Sequence, residues 1–61
     1  MNDQVRIRLL NYLNETGVKQ TFVCDKIELS TPTFTRFKQG RTDLYNENLV
    51  KLDVFLTKQG Y

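Results

Sequence analysis

Punctuation constrains this chain more than any other feature. The three glycines stand at 17, 40 and 60, and the single proline at 32. Glycine reaches the left-handed backbone region at little cost and is the commonest helix terminator. Gly17 and Gly40 therefore cut the chain into three stretches. The middle one, 18–39, holds Ser30-Thr31-Pro32-Thr33 in its interior. That is a helix-start signal, so the stretch predicts two short helices rather than one. Either Ser30 caps the second of them, with Pro32 in its first turn, or Thr31 caps it and Pro32 is the first helical residue. A residue before proline is biased away from helical backbone, which counts against the first option. The pair covers about 19–27 and 31–39, joined by the tight turn Glu28-Leu29-Ser30.

The flanking stretches each predict one helix. Over about 3–15, Val5, Leu9, Tyr12 and Leu13 recur at spacings of three and four and share a face; Leu10 widens the stripe and Ile7 lies off it. Over about 46–59, Leu49, Leu52 and Leu56 form the main stripe with Phe55 beside it. Asn46 is the expected cap, with Tyr45 packing on Val50 as a hydrophobic staple. In the central pair, Val23, Cys24, Ile27, Leu29, Phe34 and Phe37 are expected to face inward. The fold class is therefore all-α: four short helices in a single domain over 1–61, with no strand candidate.

Sixty-one residues, 39% of them hydrophobic, allow one small core. One cysteine and no histidine leave no intramolecular disulfide, no structural zinc site and no histidine-dependent catalytic triad. Stability must come from helix packing or a partner chain. No apolar run approaches the ~20 residues of a membrane span. Met1-Asn2-Asp3-Gln4 does not read as a signal peptide, and with an unpaired cysteine the expected compartment is the cytoplasm. The net charge of +2 is compatible with an anionic partner.

Two short helices joined by three residues make a helix-turn-helix candidate. The face of the second helix opposite Phe34 and Phe37 carries Pro32, Thr35, Arg36 and Gln39, with Thr31 at its edge. It has no carboxylate and no large apolar residue. The segment QTFVCDKIELSTPTFTRFKQG, 20–40, resembles the helix-turn-helix of the lambda-repressor/Cro-like (XRE) family. The likeness extends through Gly17-Val18 before it and Leu49-Val50-Lys51-Leu52 after it. Its best-matching positions are Gln20, Val23, Ile27, Leu29, Ser30, Thr33, Phe34, Arg36, Phe37 and Gly40.

Four departures from the family pattern stand out. Glu28 takes the turn position usually held by glycine and must tolerate a positive φ, at roughly 1 kcal/mol. Cys24 replaces a small residue that is usually alanine, and Lys19 replaces the usual serine or threonine cap. Leu13 and Lys38 stand where many relatives pair an arginine with a glutamate.

The resemblance implies sequence-specific binding to double-stranded DNA, with the second motif helix in the major groove. Arg36 would read a guanine through two bonds to O6 and N7, while Thr31, Pro32 and Thr35 would meet thymine methyls or local polar groups. Lys19, Gln20, Lys38, Gln39, Arg41 and Thr42 would hold the phosphate backbone, which positions without reading sequence. The expected role is a phage- or mobile-element-type transcriptional repressor. No cofactor is implied, and regulation would come from concentration or from a regulatory protein partner.

Plainer readings stand beside these. Arg36, Lys38 and Arg41 could be an ordinary solvated face, and Asp43 and Glu47 would oppose them unless they point away. Cys24 reads as a small core residue, Thr33 as a first-turn residue. Val50, Val54 and Tyr61 form a second apolar stripe on the last helix, about 120° from the first. Either it is a homodimer face or it closes over the opening helix within one monomer. Phe22 either marks a partner surface or packs against the start of the last helix. The alternative function is a protein-interaction module, antitoxin or adaptor, on the same fold, with a face centred on Phe22, Tyr45 or Tyr61. An enzyme is the least expected class, since the chain has no glycine-rich phosphate loop and little room for a cleft.

Overall fold

A computed structural model describes all of residues 1–61. Four helices follow one another: α1 (Asn2–Thr16), α2 (Gln20–Ile27), α3 (Thr31–Lys38) and α4 (Asn46–Lys58). There is no strand. Each of α1 and α2 packs on both α3 and α4, so the four enclose one core. The molecule measures 23 × 20 × 19 Å.

Twelve buried residues make that core: Val5, Leu9 and Tyr12 from α1; Val23, Cys24 and Ile27 from α2; Phe34 and Phe37 from α3; Leu49, Leu52 and Leu56 from α4; and Leu44 from the connection before α4. The helical stripes predict all of these except Leu44. Leu10, expected to widen the α1 stripe, is exposed beside Ile7. At 100° per residue Leu10 lies about 140° around the helix from Val5, beyond the reach of α3 and α4. Leu13, nearer the stripe, is partly buried against the core, as are Val18, Leu29 and Phe55.

The ends of α3 set the geometry of the surface it presents. Ser30 is its N-cap residue, with extended backbone, and Pro32 lies in the first turn. The Ser30 hydroxyl makes no capping bond to the helix backbone. It donates instead to Thr33 Oγ1 at 2.8 Å. At the other end Gly40 takes a φ of +77°. Its N–H donates to the Phe37 carbonyl at 3.1 Å, and the N–H of Arg41 to the Arg36 carbonyl at 2.9 Å. These two bonds form a Schellman closure, which only a left-handed residue permits at little cost. They turn the chain sharply and set Arg41 just past the end of α3.

The α2–α3 turn needs a left-handed residue too, and Glu28 supplies it, with φ 56° and ψ 45°. Its backbone N–H and that of Leu29 both close on the Cys24 carbonyl. The strain costs roughly 1 kcal/mol that glycine would avoid.

The start of α4 differs by one residue from expectation. Tyr45, not Asn46, is the N-cap residue, and no side chain caps the helix. The staple positions then become Leu44 and Leu49, both buried, and the Tyr45 ring stands 86% exposed rather than on Val50. The end of α4 brings a second correction. The helix stops at Lys58, and Gly60, at φ +84°, turns the chain back. Tyr61 therefore leaves the Val50–Val54 stripe. Its ring stacks edge-on against Tyr12 at 5.3 Å, and its hydroxyl donates to Glu15 at 2.9 Å.

Candidate nucleic-acid interface

The segment from Leu29 to Thr42 carries three cations and no carboxylate. On α3 the buried pair Phe34 and Phe37 fixes the helix rotation. Thr31, Pro32, Arg36 and Gln39 are consequently exposed, and Thr35 is half-buried. Arg41 is exposed beyond Gly40. Arg36 and Thr42 line one shallow depression together with Thr33, Asp43, Tyr45 and Asn48. Lys19 is exposed at the start of α2. Neither Lys19, Arg36 nor Arg41 takes part in an ion pair.

Gln20 ties the two central helices together. Its Nε2 donates to Thr35 Oγ1 at 2.9 Å, and its Oε1 accepts from Lys38 Nζ at 2.7 Å. It is the first residue of α2, and the Lys19 side chain does not cap that helix. Free backbone N–H groups and the Lys38 ammonium are thus gathered at one helix N-terminus. That arrangement favours an anion there.

The main determinant of the surface is Arg6, a residue the sequence singles out for nothing. From α1 its Nε donates to the Phe37 carbonyl at 2.6 Å, and its Nη2 to the Thr42 carbonyl at 3.0 Å and to Asp43 Oδ1 at 3.1 Å. Its Nη1 meets Asp3 at 2.7 Å, and the guanidinium carbon lies 4.5 Å from the centre of the Phe37 ring. The Arg6 side chain is only 14% exposed. One planar fork therefore fixes the end of α3 and the loop that follows. Asn2 adds to the tether: its Oδ1 accepts from the Leu44 N–H at 2.9 Å. Arg6 also engages Asp43, the acid closest in sequence to Arg41. The opening helix does send an arginine to the end of α3, although Leu13 and Lys38 form no pair. Its acceptor is a backbone carbonyl instead of a glutamate.

Cys24 lies buried under this surface. Burial pushes its thiol above the usual value, with the Thr31 hydroxyl opposing, so it is protonated at neutral pH and packs as a small apolar group. No cluster of histidine, cysteine or carboxylate side chains could hold a metal ion. No helix is long and apolar enough to cross a membrane. Val50 and Val54 are exposed on α4, in a groove shared with Phe22.

Comparison with protein-family models, curated proteins and solved structures found no match to this chain.

Proposed function

We propose that this chain binds double-stranded DNA sequence-specifically through a helix-turn-helix formed by α2 and α3, as a lambda-repressor/Cro-like repressor. The observation that carries the reading is the pair of exposed, unpaired arginines, Arg36 and Arg41, on a segment, 29–42, that itself holds no carboxylate. The neighbouring acid, Asp43, is drawn onto Arg6. A helix with its side chains is about 10–12 Å across, and the major groove is about 12 Å wide, so α3 fits within it. Arg36, in the second turn, would make two bonds to guanine. Thr31, Pro32 and Thr35 would line the groove beside it. Lys19, Gln20, Lys38, Gln39, Arg41 and Thr42 would meet phosphates on either side, Gln20 and Lys38 at the N-terminus of α2. Repression would follow from occupying an operator and excluding polymerase.

The test is selection from a randomised duplex pool at near-physiological salt, with wild type and Arg36→Ala in parallel. Wild type is expected to enrich a defined site, and Arg36→Ala to relax it at one base pair. An inverted repeat with half-site centres about one helical turn apart would identify a dimer on DNA, and a single short site a monomer. A folded wild-type sample that enriches nothing would overturn the reading.

A further inference from the structure

A second surface lies apart from the one just described and shares none of its residues. Between α2 and α4 runs an open groove of about 690 Å³. Its apolar lining includes Phe22, Val50 and Val54, which are 47%, 43% and 47% exposed. Phe55 extends this lining inward, edge-on to Phe22 at 6.4 Å. Three of the seven exposed large apolar side chains therefore meet in one concavity. Convergence of this kind is a mark of a binding site, where scattered exposed side chains are not.

Charge identifies what the groove would take. Lys26, Lys51 and Lys58 line it, and Glu28 is its one acid, a net of +2 from these four side chains. None of the three lysines forms an ion pair within the chain. Lys26 Nζ stands 5.4 Å from the centre of the Phe22 ring, with its ammonium over the apolar surface.

We infer that this groove docks an acidic amphipathic helix of a partner protein. The partner's apolar side chains would enter between Phe22, Val50 and Val54, and its carboxylates would meet the three lysines. A second copy of the chain fits poorly, because two-fold pairing would bring a rim of net +2 against another of the same sign. A bilayer fits poorly too, because Phe22, Val50 and Val54 line a concavity instead of standing on a protruding face that could enter one. The inference does not rest on DNA binding: the groove leaves α3 free, so both partners could bind together.

The test uses the full chain as bait for a displayed library of amphipathic 16-residue peptides, with acidic, basic and neutral polar faces equally represented. Acidic peptides with apolar residues spaced at i, i+3, i+4 and i+7 are expected to enrich. A synthetic copy of the best one should shift the amide resonances of Phe22, Val50, Lys51 and Val54 and leave those of Thr31, Thr33, Thr35 and Arg36 in place. Val54→Lys and Lys51→Glu, both at exposed positions, should each weaken that peptide by at least about tenfold while melting like wild type. A basic or neutral consensus, no enrichment, or shifts centred on α3 would overturn the proposal. Two further results would do the same: a dimer in sedimentation that Val54→Lys dissociates, or binding to anionic phospholipid vesicles that Val54→Lys abolishes.

Discussion

Arg6 and Arg8 project from the opening helix and turn inward, whereas Arg36 and Arg41, at the surface of α3 and just beyond it, form no ion pair. Arg6 bonds two backbone carbonyls and two aspartates. Arg8 bonds the Tyr61 carbonyl at 2.8 Å, Thr57 Oγ1 at 3.0 Å and the Asp53 carboxylate. Between them they fasten the 39–45 loop and the C-terminal turn. The same side chain thus serves two ends. Where its fork meets carbonyls and carboxylates of the fold, it is a fastener. Where the fold offers it nothing, it is available to a partner. The division also shows where the acids of this chain of net charge +2 are met. Three of its seven acids, Asp3, Asp43 and Asp53, are engaged by Arg6 and Arg8.

The sharpest way to break this contrast is to remove one arginine of each kind. Arg6→Ala strips charge-assisted bonds from the Phe37 and Thr42 carbonyls and uncovers the Phe37 ring. Such bonds are worth about 1.5–3 kcal/mol each when buried, and water will replace part of that here, so the expected loss is about 2 kcal/mol. In a 61-residue domain that lowers Tm on the order of 10 °C, readable by circular dichroism. An unchanged Tm would mean that Arg6 fastens nothing.

Arg36→Ala should do the opposite. Its stability should stay within about 0.5 kcal/mol of wild type, as at most surface sites. Its affinity for the selected DNA site should fall by about 1–3 kcal/mol, with discrimination lost at one base pair. If Arg36→Ala lowered Tm as much as Arg6→Ala, the division between the two kinds of arginine would fail. Arg41→Ala is expected to be gentler. Affinity for all duplexes should drop together, and the slope of log K against log salt should flatten by about 0.9, one phosphate contact. A loss confined to the selected site would make Arg41 a base reader.

Much of the molecule follows from local signals. Glycine and proline positions divide the helices, and apolar spacing at three and four picks out eleven of the twelve core residues, because both depend on neighbours within a turn. The positive φ of Glu28 is implied by the family resemblance and not by a local signal. What escapes local reading is contact across the chain. Arg6 reaches a carbonyl 31 residues away, and nothing near position 6 announces it. Leu44 is buried because the Leu44 N–H is held by Asn2, 42 residues earlier. The one-residue shift at the start of α4 has the same origin. With Leu44 held down, Leu44 and Leu49 become the staple, and Tyr45 is turned out. At the C-terminus, Arg8 draws the Tyr61 carbonyl back toward α1, and the ring follows onto Tyr12. The outward face of α3 was legible because two phenylalanines fix its rotation. The availability of Arg36 and Arg41 was not, because it depends on where Asp43 goes.

The smallest predicted effect separates the Arg8 tether on the Tyr61 carbonyl from the Tyr61 side chain. The Tyr61 hydroxyl donates to Glu15, and that bond to a carboxylate, followed by burial, raises its pKa above the usual value of about 10. The folded state therefore keeps the proton that the unfolded chain gives up first. Stability from this group is fully present below about pH 10 and is lost as pH rises through the folded pKa. Tyr61→Phe keeps the ring against Tyr12 and the carbonyl on Arg8, and removes only the hydroxyl. Urea denaturation should show it slightly less stable than wild type at pH 8, with the gap closing at more alkaline pH. Because the pair is solvent-exposed, the gap should be smaller than that of any arginine variant above that affects stability. A gap that stays constant with pH would show that the hydroxyl contributes through packing alone, and that the C-terminal turn is held by Arg8 and the ring without help from Glu15.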